Sequence, residues 1–318
     1  MKSIRRSLTL LFLALLTALT VFACSGGGNN GAPTQVGSNS GSGNNDTPIQ
    51  VGSKDFTEEF ILGEMYALVL ENNGLKVDRK MNLGGTPVAQ AGLVSGKIDL
   101  YPEYTGTGLL TVLKLPPSSN QQQVFDTVSK GYKEKFNLVW LKPAPMNDSE
   151  GFAMTQQASQ KYGVKTISDM VAKGSQLTLI APPEFQERED GLPGIKKAYG
   201  DPKFKKLIPA DPGLRYPALL KGEADVTEAF TTDGEISAYH LVVLKDDKHF
   251  YPPYQVAPVV RQQALDAHPG IRDALNGLAP KITNEAMQRL NYEVSGKKRE
   301  PAEVAKEFLT QQGVLKKT

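Results

Sequence analysis

Residues 92–105 read GLVSGKIDLYPEYT, and residues 218–231, which begin 126 positions later, read ALLKGEADVTEAFT. Four of the fourteen aligned positions are identical, and Tyr104 of the first segment aligns with Phe230 of the second. Each segment reads as a helix end, a glycine turn, a short strand and an aromatic residue beyond it. In open α/β sheets ligands bind beyond the carboxyl ends of the strands, so the pair predicts two lobes whose aromatic residues face one cleft. Because helix–glycine–strand units are common, four identities can also arise by chance.

The rest of the chain alternates between short strand-like and helical runs. Ile49–Gly52, Val77–Leu83 and Leu177–Ala181 read as strands, and residues 264–312 are mainly helical. Such alternation predicts α/β layers with a mostly parallel sheet. The 270 residues from Ile49 to Thr318 are enough for two lobes.

The amino terminus predicts export and lipid anchoring. A basic start is followed by 16 uncharged, mostly apolar residues from Leu8 to Ala23, and Cys24 is the single cysteine of the chain. This predicts a signal peptide over residues 1–23, because a membrane-spanning helix needs about 20 residues. Val21 to Cys24 resembles a bacterial lipobox, which implies that Cys24 is lipidated. The alternative is a signal peptide that ends near a buried cysteine.

A flexible tether is predicted over residues 24–48. Of the 23 residues from Ser25 to Thr47, 16 are Gly, Asn or Ser, and Asp46 carries the only charge. Such a segment buries too little apolar surface to fold. Its root-mean-square end-to-end distance is roughly 25–30 Å.

Composition argues against several classes of protein. Without Lys2, Arg5 and Arg6 the chain has 33 basic and 34 acidic residues, a net charge of −1, so no basic field is available for nucleic acid. A lipidated Cys24 would leave no thiol for disulfides or cysteine chemistry. The common hydrolase, zinc-protease and phosphate-loop motifs are absent, and the three histidines are dispersed. We therefore predict no catalytic residue, metal or cofactor. Adjacent acids such as Glu58 and Glu59 are more typical of a first helical turn or a solvated face than of a glycosidase.

The order of several short motifs resembles the substrate-binding proteins of ABC transporters for quaternary-amine osmoprotectants such as glycine betaine, choline and carnitine. The motifs are Ser53-Lys54-Asp55-Phe56-Thr57-Glu58, Gly84-Gly85-Thr86, Tyr101-Pro102-Glu103-Tyr104-Thr105-Gly106-Thr107, Asp190-Gly191-Leu192-Pro193-Gly194, Thr231-Thr232-Asp233-Gly234 and Leu241 to Tyr254. The resemblance covers essentially the whole chain after the tether.

The resemblance implies a type II periplasmic-binding-protein fold, in which two α/β lobes joined by a two-strand hinge close around a ligand. We expect lobe I to comprise residues 49–143 and 243–318, and lobe II residues 144–242. The two crossings are expected near residues 142–151 and 238–245.

The family binds its ligand in a cage of tyrosines, which suits a trimethylammonium group that has no N–H donor. Tyr104 and Phe230 match two of these positions. At two others the chain departs from the better-known members: Glu150 replaces a cage tyrosine, and Glu59 replaces a glutamine. Asp148 lies beside Glu150 in sequence. Coulomb attraction from Glu150 and Asp148 can replace part of the cation–π binding, the affinity can be weak, or the ligand can be different.

Four more residues are candidates for the site. Arg215 can clamp a ligand carboxylate through its bidentate fork, and so can Arg188, although a surface or interlobe ion pair is the simpler role for both. Thr107 can contact the ligand beside Tyr104 or cap the following helix. Tyr101 can contact the ligand or pack against the sheet.

Taken together, the chain is predicted to be an extracytoplasmic, lipid-anchored, monomeric binding protein. It would capture a quaternary-ammonium solute between its lobes and deliver it to an ABC permease. The alternatives are a binding protein or sensor domain for a different small cation or zwitterion and, less favoured by the motifs, an enzyme.

Overall fold

The structure, a computed structural model, describes residues 47–316. The predicted signal peptide, Cys24 and all but the last two residues of the predicted tether lie outside these residues.

Ten strands form within residues 47–316. They are β1 (Ile49–Gly52), β2 (Val77–Lys80), β3 (Leu100–Tyr104), β4 (Leu138–Trp140), β5 (Glu150–Met154), β6 (Thr178–Ala181), β7 (Lys206–Pro209), β8 (Val226–Phe230), β9 (Val242–Val243) and β10 (Val256–Arg261).

Thirteen α-helices connect or follow these strands in the same residues. They are α1 (Thr57–Asn72), α2 (Thr86–Val94), α3 (Thr105–Thr107), α4 (Gln121–Phe136), α5 (Gln156–Tyr162), α6 (Ile167–Lys173), α7 (Leu192–Tyr199), α8 (Arg215–Leu220), α9 (Gly234–Ala238), α10 (Gln262–Ala267), α11 (Gly270–Leu278), α12 (Asn284–Ser295) and α13 (Pro301–Gln311). A π-helical turn (Gly108–Val112) and four 3₁₀ turns (Gly174–Gln176, Pro183–Gln186, Pro212–Leu214 and Ala279–Lys281) complete the helical elements.

The strands form two sheets with the same design. The first has the order β2-β1-β3-β10-β4 and the second the order β7-β6-β8-β5-β9. In each sheet the fourth strand, β10 or β5, is antiparallel to both neighbours, and the other two pairings are parallel. Four of the five strands therefore point the same way, which agrees with the predicted α/β layers.

The internal repeat of the sequence is confirmed as a structural repeat. β3 and β8 occupy the central position of their sheets and are offset by the same 126 residues. The glycine turn before each strand has a positive φ, +76° at Gly96 and +74° at Gly222, a conformation that side chains disfavour. Asp99 and Asp225 each accept a hydrogen bond of 2.9 Å from a backbone N–H of the neighbouring strand.

Helices cover both faces of each sheet and bury its apolar residues. On one face of the first sheet, the C-terminal helices α11, α12 and α13 pack with α1 around Ile61, Met65 and Phe308. On the other face Tyr101 and Trp140 belong to a separate apolar cluster. Phe152 and Phe185 lie in the main core of the second sheet. The C-terminal helices thus complete the half of the molecule that holds the amino-terminal strands.

Two segments connect the sheets. The first runs from β4 to β5, and the second runs from β9 to β10; an antiparallel bridge joins them at Asn147 and Gln255. Residues 238–245, where the sequence placed the return, stay with the second sheet, because Val243 pairs with β5 and Lys245 forms a bridge to Thr166. The return segment therefore lies later in the chain, directly before β10.

Candidate functional site

A cavity of about 340 Å³ lies between the two sheets, at the carboxyl ends of their strands. Phe56, just after β1, and Tyr104, at the end of β3, line it from the first sheet. Phe230, at the end of β8, and Pro182, just after β6, line it from the second. The volume lies within the range of small-molecule sites, which are generally concave and mostly apolar.

Three aromatic rings stack across the gap between the sheets. The Phe56 ring centroid is 6.3 Å from that of Phe230, with only 4° between the planes. It is also 6.3 Å from the Tyr104 centroid, at 30°. Tyr104 and Phe230, the two rings that the sequence singled out, therefore line the same cavity from opposite sheets with Phe56 between them.

Protein cations lie beside the two outer rings of this stack. Lys54 Nζ is 5.2 Å from the Tyr104 centroid, and the Arg215 guanidinium carbon is 5.2 Å from the Phe230 centroid. Among residues 47–316 no lysine or arginine lies over the Phe56 ring. Phe56 is thus the ring of the stack whose π surface no basic side chain of the described chain uses.

Tyr104 is held in place by its hydroxyl group. The hydroxyl donates to Glu58 Oε1 at 2.8 Å, and Asn291 Nδ2 donates to Glu58 Oε2 at 2.8 Å. Burial raises the pKa of Glu58, although the hydrogen bonds that it accepts oppose the shift. Glu58 stands in the first turn of α1 as expected, but it is buried, so it is not part of a solvated face.

Asp148, a candidate from the sequence, lines the cavity. It lies on the first connecting segment and accepts hydrogen bonds at its Oδ1 from the Thr232 hydroxyl at 2.6 Å and from the Thr232 backbone N–H at 3.2 Å. Burial raises the pKa of Asp148 well above its usual value, and Glu58 and Asp233 add to the shift. Asp148 is therefore a weaker source of negative charge than its position suggests.

Glu150 does not line the cavity, although it replaces a cage tyrosine in the sequence. It is only 3% exposed, and its Oε2 lies 3.4 Å from Arg188 Nη2. Burial raises the pKa of Glu150 well above its usual value, and the nearby Asp190 carboxylate raises it further. Its proposed attraction for a ligand cation therefore has no direct contact to act through.

Arg188 is committed to protein groups. Its Nε donates to Asp190 Oδ1 at 2.7 Å, and its Nη2 lies 3.5 Å from Thr107 Oγ1. Burial acts to raise the pKa of Asp190, but the Arg188 guanidinium outweighs burial and lowers it. Thr107 lines the cavity within α3, so it is placed both for ligand contact and for this interaction with the opposite sheet.

Arg215 lines the cavity but its donors point to the protein. Its Nη1 donates to the Glu228 carbonyl oxygen at 2.6 Å, and its Nε donates to the Pro212 carbonyl oxygen at 3.1 Å. Nη1 also lies 3.6 Å from the Glu228 carboxylate. Arg215 thus forms ion pairs, but it is 4% exposed and its partners belong to its own lobe, so it is neither the surface nor the interlobe pair considered from the sequence.

Glu59 and Tyr101 lie outside the cavity wall. Glu59 is fully buried and accepts a hydrogen bond from the Lys54 backbone N–H at 2.9 Å, and burial raises its pKa well above its usual value. The Tyr101 hydroxyl donates to Glu103 Oε2 at 2.6 Å. Both residues support the strands that carry the site; neither is placed to touch a ligand in this cavity.

The structure adds residues to the site that the sequence analysis did not select. Phe56 stood within the quoted motif of residues 53–58, which was the available signal for it. Tyr254 ends the quoted return segment, lines the cavity and donates its hydroxyl to Asp190 Oδ2 at 3.0 Å. Glu184 also lines the cavity, but no motif marks it.

A second cavity, of about 460 Å³, adjoins the first. The two share five residues in their walls: Phe56, Asp148, Pro212, Arg215 and Phe230. The second is otherwise lined mainly by residues of α8, α9 and α12 and of the turns beside them. The first lobe contributes fewer aromatic rings to this cavity than to the smaller one, because Tyr104 does not line it.

Residues 47–316 contain no group of three or more His, Cys, Asp or Glu side chains placed to hold a metal ion. Within the same residues, no helix has the length and apolar character needed to cross a bilayer.

The sequence matches a known protein family over most of its length. The profile of the family described as the substrate-binding domain of ABC-type glycine betaine transport systems matches residues 47–311. The carnitine transport binding protein OpuCC of Listeria monocytogenes is 37% identical over 256 residues, which cover 80% of this chain and 83% of that protein.

A second related protein and a solved structure are also similar to this chain. The ergothioneine transport permease/ergothioneine binding protein EgtU of Helicobacter pylori is 37% identical over 262 residues; the match covers 82% of this chain but only 47% of that longer protein. A crystal structure titled as a glycine betaine/carnitine/choline ABC transporter is 33% identical, with a TM-score of 0.67, and covers 84% of this chain and 99% of that one. Together with the paired sheets, these matches confirm the type II periplasmic-binding-protein fold with two α/β lobes.

Proposed function

The chain belongs to the family of substrate-binding domains of ABC-type glycine betaine transport systems, and on that premise we propose that it captures a quaternary-ammonium solute in the cavity of about 340 Å³. The observation that carries the proposal is the stack of Tyr104, Phe56 and Phe230, in which the two lobes contribute rings to one cavity.

The chemistry of the rings fits such a solute. A trimethylammonium group has no N–H to donate, so hydrogen-bond acceptors recognise it poorly. An aromatic face attracts its charge while the methyl groups pack against apolar surface, and a desolvated cation–π contact contributes up to about 2 kcal/mol. Phe56 offers a π surface that no lysine or arginine within residues 47–316 covers, and the Tyr254 ring lies in the same cavity wall.

Ligand binding is coupled to closure of the lobes in this proposal. The hinge consists of the two connecting segments, and the lobe limits lie within them, near residues 141–149 and 246–255. Across the cleft Thr111 Oγ1 donates to Asp190 Oδ1 at 3.0 Å. A ligand that touches rings of both lobes binds the closed form better than the open form, so it shifts the population towards closure.

The closed protein then delivers its ligand to an ABC permease. We propose that it works as a monomer outside the cytoplasmic membrane and releases the ligand chemically unchanged. Lipidation of Cys24 would keep it close to the permease, and replacement of Cys24 by serine would move the protein from the membrane fraction to the soluble fraction. Retention of the Cys24→Ser variant in washed membranes would contradict the anchor.

Isothermal titration calorimetry with the purified protein tests the ligand class. The panel is choline, glycine betaine, carnitine and ergothioneine, the last because of the Helicobacter pylori relative. We expect at least one methylated ammonium compound to bind, and both Tyr104→Ala and Phe230→Ala to weaken it. If both variants bind every detected ligand as tightly as the wild type, the assignment of the site is wrong. Turnover of a panel compound would favour an enzyme, and binding without transport would favour a sensor.

A further inference from the structure

Glu184 holds an unusual position at the edge of the cavity. It belongs to the 3₁₀ turn after β6, in the second lobe, but its Oε2 accepts the backbone N–H of Thr86 at 3.1 Å, at the start of α2 in the first lobe. Its Oε1 accepts from Arg188 Nη1 at 3.2 Å. One carboxylate thus joins a helix N-terminus and a guanidinium across the cleft.

Gly85 leaves the space for this contact. A Cβ atom at residue 85 would lie 2.1 Å from Glu184 Oε2, which is far inside the contact distance. The φ angle of Gly85 is −65°, which any residue adopts, so its backbone conformation does not require glycine. The absence of a side chain at residue 85 is what lets the Glu184 carboxylate reach α2.

The position of the Glu184 carboxylate is the one where the cavity would recognise a ligand carboxylate. The free N–H groups of a helix N-terminus favour an anion, and an arginine fork pairs well with a carboxylate. Here the α2 N-terminus and Arg188 both donate to the Glu184 carboxylate instead. Gly85, Thr107 and Arg188 line the same cavity.

The other basic groups of the cavity wall are also engaged. Lys54 Nζ pairs with Glu103 Oε1 at 2.6 Å, and Arg215 donates to two backbone carbonyl oxygens. The wall contains six acidic and three basic side chains. A ligand carboxylate would find no uncommitted basic partner among the described residues of this wall, whereas a bare cation meets the rings and needs no such partner.

We infer that Glu184 acts as a built-in carboxylate that makes the cavity select a quaternary ammonium cation without a carboxylate of its own, as in choline, over a zwitterionic betaine. Glu184 is a specificity-determining residue in this account. The inference rests on the proposed function, because it assigns the ligand class of the same site.

Calorimetry on four proteins tests the inference, with choline and glycine betaine as the probes. The wild type should bind choline at least about tenfold more tightly, since the betaine carboxylate lacks a partner. In Glu184→Ala the α2 N-terminus and Arg188 become available, so the preference should fall about tenfold or more. Gly85→Ala should not raise the affinity for glycine betaine in this way, because its new Cβ would fill the place of the Glu184 carboxylate and exclude a ligand carboxylate too. Glu189→Ala is the matched control: it removes the same charge from an exposed residue nearby that does not line the cavity.

The outcomes separate this inference from the proposed function. Equal or tighter binding of glycine betaine by the wild type overturns the inference alone, because quaternary-ammonium binding then still holds. An unchanged preference in Glu184→Ala also overturns it, as does an equal change in Glu189→Ala, which would assign the effect to net charge. If the wild type binds no quaternary ammonium compound, the proposed function fails, and this inference fails with it.

Discussion

Replacement of Phe56 by leucine is the sharpest test of the ring stack. Leucine keeps an apolar side chain at the N-terminus of α1 but removes the π surface that lies 6.3 Å from both Tyr104 and Phe230. Because Phe56 is only partly buried, we expect the free energy of unfolding to change by less than about 1.5 kcal/mol. An effect on binding can then be separated from an effect on folding.

The expected loss of affinity follows from the cation–π contact. A desolvated contact contributes up to about 2 kcal/mol, and 1.4 kcal/mol corresponds to a factor of ten in the dissociation constant, so the ligand should bind more weakly by up to about 30-fold. Phe56→Tyr, which keeps the ring, should retain most of the affinity.

Isothermal titration calorimetry with the tightest ligand of the panel measures the change, and thermal unfolding without ligand checks the fold. Tyr239→Leu serves as the matched control, because this ring is 45% exposed and lines only the larger cavity. If Phe56→Leu binds within about twofold of the wild type, or if Tyr239→Leu loses as much affinity, the ring stack does not hold the ligand.

Three other predictions concern stability and pH. Gly106→Ala should destabilise the protein by about 1–3 kcal/mol in denaturant titrations and weaken binding, since the new Cβ would lie 2.6 Å from the Tyr254 ring; wild-type behaviour would show that the ring can move freely. Lys54→Met should lower the free energy of unfolding by about 3–5 kcal/mol, because it leaves the Glu103 carboxylate buried without its ion pair; a variant as stable as the wild type would contradict this. Burial raises the pKa of Glu150 well above 4.5, so its protonated form favours the folded state, and this contribution is full below about pH 4.5 and lost as the pH rises towards the folded pKa. Glu150→Gln fixes the neutral form, so its stability relative to the wild type should grow with pH across that window, by up to about 1.4 kcal/mol per unit in urea titrations; a gap that is constant with pH would contradict the raised pKa.

The fold was predictable because it depends on patterns that the chain repeats. The segments that end in Tyr104 and Phe230 share a glycine turn and a strand at the same offset, and local sequence determines both features. The return crossing was placed about ten residues too early, because the pairing of Val243 with Ala153 extends the second sheet and nothing in the local sequence marks that pairing.

The sequence motifs led to Tyr104, Thr107, Asp148, Arg215 and Phe230, which line the cavity, but other contacts of the site could not be predicted from them. Glu150 stands where the family has a cage tyrosine, so it was expected to face the ligand. It instead pairs with Arg188, which is distant in sequence. Glu184 had no signal at all, since its role depends on the approach of one lobe to Gly85 of the other. Such contacts follow from tertiary packing within or between the lobes, and neither residue's neighbours in the chain encode them.

A crystal structure of the protein with its tightest quaternary-ammonium ligand tests the central claim most directly. We expect the ligand nitrogen in the cavity of about 340 Å³, within about 6 Å of the Phe56 ring centroid and of at least one ring from the other lobe. A nitrogen bound in the larger cavity, or at a place that only one lobe contacts, would contradict the account.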